Sequence, residues 1–399
     1  MQLPGPAGQL HKGFPLLREA WAKPHKPHYF ASMNTARLNK HWIYRDTKTA
    51  PPEIASWAAA LGVSEWLALF LWERGLPDAA SMNDYLTPGL KGLVPPKNWP
   101  GVDEAAICLA EAARKGKKIV VWGDYDVDGI TATALCLEVF SWHGVIAHSH
   151  IPSRTSQGYG LNLVTLETLA AQGMEVLLTV DCGINDVDVV ARANELGITV
   201  IITDHHLPGD TLPAARAVCN PRLPGAPYPH LAGVGMVFYL MAEVNNILSE
   251  TAGKNSARPD IRRVLDLVAL GTVADMVDLN GQNRILVKNG LLVLAQGKRT
   301  GLAALKAYCG YSPSAPLDTG QVAFALAPRL NAAGRLDRAN EALDLMLCRD
   351  AARAAGLAES LNVMNTERRA EEERASEEAL TQARAACAAP AFVLFAPHW

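Results

Sequence analysis

The chain of 399 residues is long enough for about two or three domains around a substantial core. Apolar residues make up 49% and charged residues 19%, which excludes a disordered or fibrous chain, and no run approaches the ~18 apolar residues of a membrane span. A net charge of −3 excludes a global electrostatic footprint for nucleic acid, so any such binding has to come from a local patch.

Residues 1–32 carry prolines, glycines and basic residues without periodicity, and are expected to be a disordered extension. Residues 33–100 read as a mainly helical cap, with one helical pattern from Glu65 to Trp72 stopped by Gly75. A helix from Asp103 to Lys115, stopped by Gly116, leads into an apolar strand that ends at Trp122. Gly123-Asp124-Tyr125-Asp126-Val127-Asp128-Gly129 follows, and Ile130 to Phe140 reads as the next helix. Val145 to Ile151 is a strand signal ended by Pro152. Glu175 to Val180 ends directly at Asp181-Cys182-Gly183, and Gly197 to Thr203 ends directly at Asp204-His205-His206. Both runs are apolar and β-branched, as buried parallel strands are, and a helical stretch from Asp186 to Leu196 lies between them. The expected fold class is therefore α/β, a doubly wound and mainly parallel sheet.

Three carboxylates at alternate positions, Asp124, Asp126 and Asp128, are hard to explain without a cation. Asp-x-Asp-x-Asp-Gly also opens a calcium hand, but that loop needs a bidentate Glu at its twelfth position, where Leu135 stands, and a helix before it. A polar turn of solvated carboxylates is the bland alternative. In a doubly wound sheet the carboxyl ends of the strands share one edge, where ligands bind. Asp124, Asp126 and Asp128, then Asp181, then Asp204 with two imidazoles are expected to converge there, with Asp275 at the end of the apolar run Leu267 to Ala274 as a fourth contributor. So many carboxylates cannot all ionise together without compensation. The motifs hold no Lys or Arg, and oxygen ligands with imidazole and no thiolate favour manganese or magnesium over zinc. The ligand number suits two metals about 3.5–4 Å apart. The seven cysteines are scattered and form no Cys-x-x-Cys pair, so they read as free thiols in a reducing, cytoplasmic setting.

Asp124-Tyr-Asp-Val-Asp-Gly, Val180-Asp-Cys-Gly, Thr203-Asp-His-His and Gly271-Thr-Val-Ala-Asp, in this order, resemble the DHH phosphoesterase superfamily. Ile151-Pro-Ser-Arg154 with Gly158-Tyr-Gly-Leu161, and Arg329-Leu-Asn-Ala-Ala-Gly-Arg335, narrow the resemblance to its single-strand-specific exonucleases. The resemblance implies Asp126 and Asp128 as ligands of one metal each, Asp181 as the bridge, and His205 and Asp275 as further ligands. It implies that Asp204 orients the site, with His206 near the scissile phosphate, and that Asp124 is either a ligand or an acceptor behind one. Arg154 and Arg335 match phosphate-holding positions, with Arg329 a second candidate. Pyrophosphatase-like relatives carry a histidine ligand where Trp122 stands here, which weakens that reading.

The function so implied is a manganese- or magnesium-dependent 5′ to 3′ exonuclease on single-stranded DNA in recombination and repair, with single-strand-binding protein and a helicase as partners. The alternatives are a nuclease of very short oligonucleotides or cyclic dinucleotides, and a non-catalytic replication scaffold. The same resemblance implies a catalytic domain over residues 33–337 and a long connecting helix over 338–388. Phe392 to Phe395 is expected to be the first strand of a second, DHH-associated domain beginning at 389. The ending at His398-Trp399 raises the expectation of a truncated chain, weak or inactive as an exonuclease.

Overall fold

The computed structural model describes residues 50–154, 157–251, 257–385 and 391–399. The expected extension over 1–32 lies outside them. Three short helices open the described chain: α1 (Ile54–Leu61), α2 (Glu65–Glu73) and α3 (Ala79–Leu86). Ser64 caps α2, and Asp78 caps α3 in a reciprocal box with Ser81. Ile54, Ala58, Ala68, Leu71 and Met82 close a small core of their own.

The α/β part then runs α4 (Val102–Arg114), β1 (Ile119–Gly123), α5 (Val127–Trp142), β2 (Ala147–His150), α6 (Leu163–Ala171), β3 (Val176–Val180), α7 (Val187–Glu195), β4 (Thr199–Thr203) and β5 (Ala217–Cys219). All strands are parallel, in the order β2-β1-β3-β4-β5. Alternate residues of each strand serve opposite faces. Ile119, Val121 and Leu178 join the large core, while Val120, Trp122 and Leu177 join the layer under α6 and α7. Both faces are covered, so β1 and β3 are buried along their whole length and read as continuous apolar runs. Because β1 rather than a helix precedes Asp124, the aspartate loop is a strand-to-helix turn and not a calcium hand.

Register decides what meets at the carboxyl edge. Gly123 pairs with Val180, Val180 with Thr203, and Thr203 with Cys219. The next residues, Asp124, Asp181, Asp204 and Asn220, are all buried and stand side by side on successive strands. The order 2-1-3-4-5 reverses direction between β1 and β3, so Asp124 and Asp181 flank the switch point where such sheets open a crevice.

The remaining helices are α8 (Gly233–Thr251), α9 (Leu265–Ala274), α10 (Gly281–Leu294), α11 (Thr300–Tyr308), the single turn α12 (Thr319–Gln321), α13 (Ala327–Arg335), α14 (Ala339–Leu347) and α15 (Ala351–Ala385). Helices α8 and α9 pack on α5 in the main core. At the far end of α5 and α9 from the carboxylates, the Arg299 guanidinium is buried between Asp266 and Glu138, with Nε to Asp266 at 2.8 Å and Nη1 to Glu138 at 2.6 Å.

Two sequence expectations differ from the structure. The one helix expected over 338–388 is two, because Cys348 is extended and the Asp350 side chain accepts from Arg353 N at 2.7 Å, capping a new helix at Ala351; residues 386–388 lie outside the described chain. Phe392 to Phe395 is not a strand: among the described residues no strand pairs with it, and an unpaired segment has no ladder to join. Among the described residues no single helix is long and apolar enough to cross a membrane, and the cysteines are all free thiols.

Candidate metal centre

Each carboxylate at the edge is held by a particular local device. Asp126 caps α5, accepting from Gly129 N at 3.0 Å through one oxygen and leaving the other free. Asp128 sits in the first turn of α5, and its two oxygens accept from Gly233 N at 2.7 Å and Val234 N at 2.8 Å. Those amides are the first turn of α8, a helix terminus turned on an anion. No side chain fits at Gly233, where a Cβ would lie 2.6 Å from Asp181 Oδ1 and 2.9 Å from Asp128 Oδ2. Asp124 Oδ1 accepts from Tyr125 N at 2.8 Å.

Asp181 follows β3 in the left-handed region, with φ 64°, a conformation Asp tolerates better than most residues. The turn is pinned by Thr179 Oγ1 donating to the Cys182 carbonyl at 2.8 Å and by Asp181 N donating to Thr203 O at 2.9 Å. Asp204 is spent on orientation. Its Oδ1 accepts from His205 N at 2.7 Å, His206 N at 3.0 Å and His206 Nδ1 at 2.7 Å, and its Oδ2 accepts from Ile184 N at 3.0 Å.

The side chains converge in three overlapping groups that could each hold a cation: Asp124, Asp126 and Asp181; Asp128, His205 and Asp275; and Asp181, His205 and His206. His205 Nε2 lies 3.1 Å from Asp181 Oδ1, 3.7 Å from Asp275 Oδ2 and 3.8 Å from Asp128 Oδ2. Three of these atoms, Asp181 Oδ1, His205 Nε2 and Asp275 Oδ2, are buried without a hydrogen-bond partner. Burial, then the His206 charge, pull His205 down to about 4, and a hydrogen bond to the Leu231 backbone engages the ring's other nitrogen. A neutral imidazole lone pair therefore faces carboxylate oxygens, an arrangement that a cation between them would satisfy. The acids point the same way. Burial, then Asp126, raise Asp124 and Asp275 to about 7, and burial with the neighbouring carboxylates lifts Asp128 and Asp181 well above the ordinary range. Burial also pushes Asp204 up, but the His206 ring and the His206 and Ile184 amides outweigh it and hold the carboxyl low. The same contact raises His206. Oxygen and imidazole donors without thiolate fit manganese or magnesium.

Of the basic candidates, Arg154 is exposed, with its guanidinium 5.3 Å from the centre of the Tyr125 ring in the aspartate loop. Arg335 is also exposed, at the end of α13, close enough for its charge to act on Tyr125. Helix α13 is docked on that loop: Asn331 Oδ1 accepts from Val127 N at 3.1 Å, and a Cβ at Gly334 would run into the Tyr125 carbonyl. Arg329 is not brought there. It lies on the opposite side of α13, with Nε on Asn362 Oδ1 at 2.9 Å and Nη1 on the Ala325 carbonyl at 2.6 Å, so its fork is committed to α15 and its own helix.

Several contributors were not legible in the sequence. Arg222 Nε donates to the His205 carbonyl at 2.7 Å, and the Tyr159 hydroxyl lies 3.1 Å from His206 Nδ1. The Gly233 and Val234 amides are backbone groups and leave no side-chain signal, although Gly233-Val-Gly235 marks a glycine-rich helix start. His150, adjacent to Trp122 on the neighbouring strand, packs its ring 4.4 Å from the indole.

The sequence pattern of the DHH family's N-terminal domain matches residues 118–272. The chain is 42% identical over 302 residues to the single-stranded-DNA-specific exonuclease RecJ of Salmonella typhimurium, covering 74% of this chain and 52% of that protein. It is 38% identical over 336 residues to RecJ of Thermus thermophilus, covering 83% and 47%. Among solved structures it resembles an exonuclease RecJ bound to manganese, with 37% identity and a TM-score of 0.65 over 71% of this chain and 70% of that one. The Thermus thermophilus RecJ in complex with Mn2+ matches with 36% identity and a TM-score of 0.71, over 84% and 47%. The chain spans about half the length of the curated relatives it matches.

Proposed function

We propose, because the chain belongs to the RecJ family of DHH phosphoesterases, that it carries the catalytic centre of a two-metal exonuclease acting 5′ to 3′ on single-stranded DNA. The observation that carries the reading is the set of buried, partnerless atoms, Asp181 Oδ1, His205 Nε2 and Asp275 Oδ2, turned on one another. Asp124, Asp126, Asp128, Asp181, His205 and Asp275 would hold two divalent cations, manganese or magnesium, with Asp181 in two of the three overlapping groups. Such a pair, when bound, supplies an activated water and neutralises the phosphoryl oxygens during in-line displacement. Asp204 would fix the His206 ring through Nδ1 and favour its protonated form, which would stabilise the charge that develops on the phosphate. The Asp128 carboxylate, tied to α8, would hold the ligands at fixed separation. Arg154 and Arg335, both near Tyr125, would receive the terminal phosphate as planar forks.

The natural setting of this reading is cytoplasmic DNA recombination and repair, with single-strand-binding protein and a helicase as partners. Residues 33–337 would form the catalytic domain. Asp126→Ala and His205→Ala are expected to abolish turnover of a 5′-phosphorylated oligonucleotide in manganese with the fold intact by circular dichroism. Activity within a few-fold of the parent would refute the assignment. Comparing long single strands with dinucleotides separates this reading from a short-oligonucleotide nuclease, and calorimetric titration with manganese separates it from a metal-free scaffold.

A further inference from the structure

Exposed apolar side chains adjoin residues of the carboxylate centre along the chain. Met276 follows Asp275 directly and is 87% exposed, and Leu207 follows His206 directly and is 70% exposed. Tyr159, whose hydroxyl lies 3.1 Å from His206, adds a third exposed apolar body. Single exposed hydrophobic residues are ordinary on any surface, but these three come from separate loops, and each follows or touches a residue of one site.

Met276 is held on unfavourable terms. Its φ is 59°, the left-handed conformation that ends a helix and that glycine adopts without steric penalty. A methionine there strains the backbone and, being exposed, recovers nothing from the core. Occupants of a metal-dependent phosphodiesterase bring a phosphate to the ions and a planar, weakly polar base beside it. A flexible thioether and a leucine side chain pack well on such a face.

Resting on the proposed exonuclease reading, we infer that Met276 and Leu207 form an apolar seat for an unpaired nucleobase next to the reacting phosphate, and so determine preference for single strands. In a duplex each base is stacked and paired, and its face is closed to such a seat.

The test uses a 5′-phosphorylated, phosphorothioate-linked oligothymidylate that resists hydrolysis and a matched strand with abasic terminal nucleotides, both followed by fluorescence anisotropy in manganese. The parent is expected to bind the base-bearing strand about tenfold more tightly, the scale of one base contact. Met276→Gly, and more so Met276→Gly with Leu207→Ser, should lose that preference while affinity for the abasic strand stays the same. Met276→Leu should keep it. The thermal midpoint of Met276→Gly should equal or exceed that of the parent, because strain leaves with the side chain. Unchanged preference in the variants, or a fall in the midpoint that accompanies weaker binding of both strands, overturns the inference and leaves the exonuclease reading standing. Failure of the parent to bind either strand overturns both.

Discussion

Removing divalent cations is expected to make the stability of this chain fall as pH rises. Asp124 and Asp275 retain their protons to about 7 in the folded state, against an ordinary value of 3.8, first because they are buried and then because Asp126 repels them. Between about pH 4 and about pH 7 these carboxyls, with Asp128 and Asp181, bind more protons in the folded state than in the unfolded state and outnumber His205, which acts in the opposite sense, so each increment of pH favours unfolding. One such group is destabilising by about 4 kcal/mol once both states are ionised. Asp124 and Asp275 share the same repelling neighbour, so their contributions do not sum, and about 4 kcal/mol sets the scale. In a domain of this size that is a shift of roughly 5–6 °C in the thermal midpoint. Manganese removes the repulsion, so the midpoint gained on adding it should be small near pH 4 and should reach its full value above about pH 7. Scanning fluorimetry across that range, in EDTA and in manganese, measures both curves. A midpoint in EDTA that stays level or rises across the window would refute the reasoning, as would a manganese effect independent of pH.

Three further outcomes follow from named contacts. Gly233→Ala pushes a methyl against Asp181 and Asp128, and should destabilise by about 1–3 kcal/mol in urea unfolding while weakening manganese binding in calorimetry. Arg299→Met leaves Asp266 and Glu138 buried without their cation, and should cost about 3–5 kcal/mol with manganese affinity unchanged, since the pair lies at the far end of α5. Asn331→Ala removes the acceptor for Val127 N at the start of α5 and should lower stability by about 1 kcal/mol, read by the same urea titration.

What could be read from sequence was whatever carried a period or a charge. The β-branched runs before Asp124, Asp181 and Asp204 betrayed buried parallel strands, and three acids at three strand ends betrayed a shared edge. Leu135, in place of the calcium ligand, correctly turned the triplet away from a helix-loop-helix hand. Register was beyond reach, because no local feature says that Gly123 lies level with Val180 and Thr203. The division of labour among the acids was equally hidden. Asp204 and Asp181 look alike in sequence, yet one has its oxygens filled by amides and a ring while the other keeps a bare oxygen. Arg329 shows the same limit, since only the rotation of α13 sends it toward Asn362 while Asn331 meets the aspartate loop. Phe392 to Phe395 has the composition of a strand, but composition does not supply a neighbour.

The contact between Asp128 and the start of α8 bears on how freely this centre could be rebuilt. Gly233 and Gly271 come from two different helices, and a Cβ on either would press on the same carboxylate, at 2.9 Å from one or the other of its oxygens. Positions 128, 233 and 271 thus share one small volume, and a change at any of them is judged by what stands at the other two. Grafting Asp124–Gly129 onto another strand-turn-helix would carry over the acids and leave behind the two glycines that make room for them. The portable unit is a junction of three helices, not a six-residue motif.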